Sequence, residues 1–226
     1  RIEVEHDESQ WVGNDRTILR KAREALLALA DTAVQPLGLG YCPNAGLPDF
    51  REALAAFLAK QQQAPVKAAH VVVTCGAAGA LTSFFRAVLE PGDEVLCPAP
   101  YFVAYGSYCG HFGGVLKPVP ALLPDVQPDL AAMEAAGTDK TRVIIINSPN
   151  NPTGCIYSQE TLSRLGRLVD RVNAGRERAL FLVSDEPYRF LAYDSAAVPP
   201  ILPLSPFTLV LGSFSKSLSL AGERIG

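Results

Sequence analysis

The 226-residue sequence predicts an α/β fold, a three-layer α/β/α arrangement around a mostly parallel sheet. Two observations carry this expectation. Short β-branched runs alternate with stretches whose apolar residues recur at helical spacing. Several of those runs are also apolar without interruption, as expected of strands covered on both faces.

Taken in order, residues 17–30 and 48–60 read as amphipathic helices flanking the loop GLGYCPNAGLPD. The second carries Pro48 in its first turn, where a missing N–H costs nothing. HVVVT at 70–74 reads as a strand. GAAGALTSFFRAVLE follows as a helix, with Leu81, Phe84, Phe85, Val88 and Leu89 at helical spacing. PGDEV turns the chain into a strand at 95–97. A helix is expected at 101–111, a strand at 114–119 and a helix at 129–136. RVIIIN at 142–147 is a continuous apolar run. After the loop SPNNPTG, Ser158 caps a helix with Leu162, Leu165, Leu168, Val169 and Val172 on one face. ALFLVSD at 179–185 and FTLVLGS at 207–213 read as the last buried strands.

Composition bounds the function. With 48% hydrophobic and 19% charged residues, the chain can bury a sizeable core. A net charge of −3 without a basic run gives nucleic acid no footprint. No apolar stretch reaches the roughly 20 residues that span a bilayer. The polar start, RIEVEHDESQ, does not read as a signal peptide, so a cytoplasmic location is expected. The five cysteines are scattered and the three histidines are not spaced as ligands, so no metal site is expected. Reduced, buried thiols are the expectation for Cys42, Cys75, Cys97, Cys109 and Cys155.

In a parallel α/β sheet, ligands bind at the carboxyl ends of the strands. Here those ends carry TCGAAGA, NSPNNPTG, DEPY and SFSK. Gly76-Ala77-Ala78-Gly79 opens a helix, where small residues and the helix dipole suit an anion. The same residues suit a tight strand-to-helix turn. Ser213, Ser215 and Arg224 supply hydroxyls and a cation for such an anion, with Lys216 beside it. Asp185 ends a buried strand, where an unpaired carboxylate is costly and wants a cationic partner. Tyr188 offers a phenol and Asn151 an amide, which together suit an aromatic oxyanion. Phe102 offers a ring face for stacking. Phosphate, pyridinium, phenolate and an amine-reactive aldehyde together describe pyridoxal 5′-phosphate (PLP).

The segments YCPNAGLPDFREALA, NSPNNPTG, SDEPY and SFSKSLSLAGERIG resemble, in order and spacing, the motifs of the fold-type I, class I/II aminotransferases. The resemblance covers roughly residues 17–226, the large PLP-binding domain, with 1–16 a separate polar segment. It implies that Lys216 carries the cofactor as a Schiff base and moves the substrate proton. Asp185 would keep the pyridine nitrogen protonated. Asn151 and Tyr188 would bond the ring oxygen, and Phe102 would stack on the ring, with Tyr101 the lesser candidate. Ala77, Ala78, Ser213 and Arg224 would hold the phosphate. Tyr41 would reach the phosphate of a neighbouring subunit, which implies a homodimer with shared sites.

Two family segments are missing from the sequence. One is a small C-terminal domain carrying the arginine for the substrate carboxylate. The other is a glycine-rich N-terminal stretch. The chain therefore reads as a fragment, with a sheet incomplete at both ends. The parent is expected to transfer an amino group between an amino acid and a 2-oxo acid in a ping-pong cycle, and the chain alone to be poorly active. A C–S lyase, another lyase or a decarboxylase on the same scaffold is the alternative, and a non-catalytic PLP-binding sensor is a further one.

Overall fold

The computed structural model describes Glu24, residues 41–193 and residues 196–226. The expected helix at 17–30 and the polar segment 1–16 lie outside the described residues, Glu24 apart. The chain divides into two units, Arg1–Cys42 and Pro43–Gly226, and the sheet belongs to the second.

The strands are β1 (Glu94–Ala99), β2 (Val115–Leu122), β3 (Gln127–Pro128), β4 (Thr141–Asn147), β5 (Phe181–Asp185) and β6 (Thr208–Leu211). Their order across the sheet is β3-β2-β1-β4-β5-β6. All neighbours run parallel except the short β2–β3 pair, an antiparallel return that periodicity did not announce. The helices are α1 (Pro48–Gln62), α2 (Gly76–Val88), α3 (Ala104–Gly110), α4 (Leu130–Ala136), α5 (Gln159–Asn173) and a single turn, α6 (Phe214–Ser217).

The layering follows from the two-residue period of the strands. Ile144, Ile146, Leu96 and Leu182 face one side and pack with Leu162, Leu165 and Val169 of α5. Val143, Ile145, Val95 and Val183 face the other and pack with Leu81 and Phe85 of α2 and Tyr105 and Cys109 of α3. Every residue of β4 is buried, so its run of apolar side chains serves both faces. Each fully buried Val or Ile there contributes about 1.5–3 kcal/mol over exposure.

Local signals set the helix starts. Pro48 opens α1. Asp129 caps α4 by accepting from Ala132 N at 3.0 Å. Ser158 caps α5 by accepting from Thr161 N at 3.1 Å, and α5 buries the predicted leucine face. The expected helix at 101–111 is shorter, because residues 101–103 lead into α3 as an open turn.

Residues 70–74 are not a strand. Their N–H groups go to three different places: Val71 to Ala68 O, Val73 to Ala45 O and Thr74 to Gly226 O. A strand needs a continuous ladder, and here one antiparallel bridge, Cys75 with Ile225, is what forms. The expectation of buried thiols also holds only in part. Cys97 and Cys109 are buried in the core, whereas Cys155 is half-buried and Cys42 and Cys75 are exposed. Among the described residues no helix is long and apolar enough to cross a membrane.

Candidate active site

Three strand ends lie in register at the carboxyl edge. Asn147 of β4 pairs with Asp185 of β5, and Asp185 pairs with Leu211 of β6. This register brings together the motifs that follow each strand, although they are far apart in sequence.

Asp185 is buried. Its Oδ2 accepts a hydrogen bond from the Tyr105 hydroxyl at 2.7 Å. Its Oδ1 is also buried and has no hydrogen-bond partner among the described residues. Burial pushes the Asp185 carboxyl up to about 6, against the downward pull of the Tyr105 hydrogen bond. Asn147 braces the same strand end. Its Nδ2 donates to the Asp185 carbonyl at 2.7 Å, and its Oδ1 accepts from Asn151 N at 2.6 Å.

The SPNNPTG loop is held from within. Asn150 Oδ1 accepts from Thr153 N and Thr153 Oγ1, and Gly154 closes the turn with φ +73° and an N–H to Asn150 O. Asn151 is thereby turned so that its Nδ2 donates to the Tyr188 hydroxyl at 3.2 Å. The two residues predicted to share one role are thus in contact. Both line an open groove of about 570 Å³ that runs on to Leu191 and Tyr193.

Tyr188 stands two residues after Glu186, which is buried in a polar cluster. Glu186 pairs with Arg189 at 3.0 Å and accepts from Ser184 and from Gln62 of α1. Burial raises the Glu186 carboxyl, opposed by the charge of Arg189 and these hydrogen bonds.

The residues expected to hold an anion cluster around α6 and the start of α2. Ser213 caps α6, its Oγ accepting from Ser215 N at 3.1 Å and meeting Ser215 Oγ at 2.9 Å. Lys216 sits exposed on this turn. Arg224 folds back to the start of α2, where its Nη2 donates to Cys75 O at 3.4 Å. Gly76 has φ +73°, and a β-carbon there would lie 3.1 Å from Arg224 Nη2. Ala77 and Ala78 form the first turn of α2. Gly226 closes the cradle: a β-carbon there would lie 2.6 Å from Gly212 O and 2.7 Å from Ala77 N.

Phe102 is half-buried, its ring edge-on to Tyr105 at 5.5 Å and 82°. Tyr41 is exposed and belongs to the first unit. Sequence reasoning read Gly76 as part of the anion-binding turn but did not identify Tyr105, Asn147, Gln62 or Gly226. The partners of the three polar residues are 80, 38 and 124 positions away, so no local pattern marks them. Gly226, the last residue, carried no signal either.

Fold and geometry together define an α/β protein with polar side chains gathered at the carboxyl edge of a mostly parallel sheet. The chain belongs to the class I and II aminotransferase family, whose profile matches residues 12–226. It is 39% identical over 191 residues to a probable aspartate/prephenate aminotransferase of Aquifex aeolicus, covering 82% of this chain and 47% of that protein. It is 37% identical over 187 residues to the aspartate/prephenate aminotransferase of Thermus thermophilus, again covering 82% and 47%. An aspartate aminotransferase mutant of Thermus thermophilus superposes with a TM-score of 0.79 at 34% identity, over 93% of this chain and 55% of that one. An amino transferase of Eubacterium rectale gives 0.82 at 33% identity, over 99% and 65%. The chain spans about half the length of the curated relatives it matches.

Proposed function

We propose that the protein represented by this chain is a PLP-dependent aminotransferase, exchanging an amino group between an amino acid and a 2-oxo acid. The observation that carries this reading is the orphaned, buried Oδ1 of Asp185, beside strand ends that also present Lys216 and the Arg224 cradle. A buried carboxylate with one unpaired oxygen calls for a cationic N–H. The residues present fit the group. Arg224, Ala77, Ala78 and Ser213 would hold its phosphate, with Gly76 leaving room beside the guanidinium. Asn151 and Tyr188 would hold its ring oxygen, Phe102 one ring face, and Lys216 its reactive carbon.

When bound, PLP supplies an electron sink for a carbanion at the substrate α-carbon. The chain's residues do the rest. Asp185 Oδ1 would keep the ring nitrogen protonated, which its low-dielectric setting strengthens. Lys216 Nζ would take and return the α-proton. The donors at Asn151 and Tyr188 would orient the ring so that this proton faces Nζ. The names of the relatives support an amino-acid substrate, and the family resemblance of the YCPNAGLPD segment supports a second copy whose Tyr41 completes the phosphate site.

The test is to add PLP, reduce with borohydride and map the modified peptide by mass spectrometry. A pyridoxyl group on Lys216 is expected. An unmodified Lys216 in folded protein would overturn the reading. Incubation with an amino acid is expected to yield one 2-oxo acid per pyridoxamine phosphate. Product without pyridoxamine phosphate would instead assign a lyase.

A further inference from the structure

We infer that Tyr105 is a positioning residue that aims Asp185 at the ring nitrogen and ties that carboxylate to the stacking ring of Phe102. This inference rests on the PLP reading of the site. Tyr105 is 1% exposed, on α3, and its hydroxyl donates a hydrogen bond to Asp185 Oδ2 at 2.7 Å. The other carboxylate oxygen is left facing away with no partner among the described residues. A carboxylate on a free rotor would offer either oxygen. Engaging Oδ2 fixes the plane and leaves Oδ1 alone to accept the ring N–H.

The same side chain meets Phe102 edge-on, so the turn entering α3 sets the stacking surface and the nitrogen partner together. Tyr105 is suited to this because it remains a donor. Burial and the neighbouring Asp185 charge both push its phenol upward, out of reach of ionisation. Among the described residues, Cys97 of β1 is a further titratable group that feels Asp185, its thiol held up by burial and by the same carboxylate. It too stays neutral, so Tyr105 is the polar hydrogen that stabilises the Asp185 anion from this side.

Tyr105→Phe separates the roles, because it keeps the ring and removes only the hydroxyl. In cofactor-free protein labelled with ¹³C at aspartate carboxyls, Asp185 is assigned by its loss in Asp185→Asn and titrated by NMR. The expected result is a titration moved up by about one pH unit in Tyr105→Phe. PLP affinity, read by equilibrium dialysis, is expected to fall about tenfold with Phe102 still in place. Should Tyr105→Phe fold poorly, global replacement of tyrosine by 3,5-difluorotyrosine gives the opposite sign. The stronger donor is expected to move the Asp185 titration down. An Asp185 titration unmoved by either change would overturn the inference, even with Lys216 labelled by PLP. A titration that moves while Lys216 takes no label would overturn the PLP reading and the inference with it.

Discussion

Arg224 lies against Gly76: its Nη2 is 3.1 Å from the point a β-carbon on Gly76 would occupy. The close approach exists because Gly76 adopts φ +73°, which a side chain would resist by about 1–2 kcal/mol. Gly76→Ala is therefore expected to push the guanidinium out of the cradle and to weaken PLP binding at least tenfold, read by equilibrium dialysis. Arg224→Gln is expected to do the same while leaving the thermal midpoint nearly unchanged, since Arg224 is exposed. Unchanged affinity in both variants would remove Arg224 from the phosphate site.

Asp185 makes the cofactor-free protein sensitive to pH. Its carboxyl is raised from 3.8 to about 6 by burial, so ionising it costs the folded state but not the unfolded one. Its contribution to stability is fully present below pH 3.8 and is lost as pH rises through about 6. The loss is on the order of 2–3 kcal/mol. Asp185→Asn removes this dependence. Thermal melts without PLP are expected to show the variant gaining on the parent between pH 4.5 and 7.5. Parallel curves for the two proteins would show that Asp185 is not strained in this way. Saturating PLP is expected to reverse the ranking at pH 7.5, because the carboxylate then has its cation.

Gly166 gives a stability test remote from the site. A glycine inside a helix normally costs about 1 kcal/mol relative to alanine. Here a β-carbon would fall 2.6 Å from the Leu204 carbonyl, which packs on α5. Gly166→Ala is expected to lower stability by about 1–3 kcal/mol, the reverse of the helix-propensity expectation. A raised urea midpoint would show that the 202–204 turn yields instead.

Gln62 links α1 to the turn that carries Tyr188. It is fully buried, its Nε2 donating to Glu186 Oε2 at 2.8 Å and its Oε1 accepting from Ile201 N at 2.9 Å. Gln62→Leu leaves a buried carboxylate short of a donor and a backbone N–H unpaired. A loss of about 3 kcal/mol is expected from urea unfolding, given that hydrogen bonds to charged groups cost the most to break. Gln62→Glu is expected to be worse still, since it sets a second carboxylate against Glu186.

Much of the architecture was legible because it rests on local rules. Pro48 and Ser158 start helices through their own backbone chemistry, and the run 142–147 is apolar throughout because β4 serves two faces. Asp185 could be read as a carboxylate in need of a cation, since a charge at the end of a buried strand has few alternatives. The segment 70–74 misled for the same reason that β4 did not. Valine-rich composition reports fitness for a pleated surface, but a strand also needs a neighbour, and here a single bridge forms, at Cys75 just beyond the segment.

Local sequence set most of the elements and where they begin, with 70–74 and β3 the exceptions, and it set the residue types at the carboxyl ends of the strands. These depend on periodicity, capping and turn chemistry within a few residues. Tertiary packing alone makes Tyr105 hold Oδ2 of Asp185 and leave Oδ1 open and makes Gln62 anchor Glu186, and it sets the expected Arg224 directly against Gly76. Such pairings join positions 80 to 148 residues apart, counting 224 − 76 for the last. They are selected by sheet register and close packing, which no local stretch of the chain encodes.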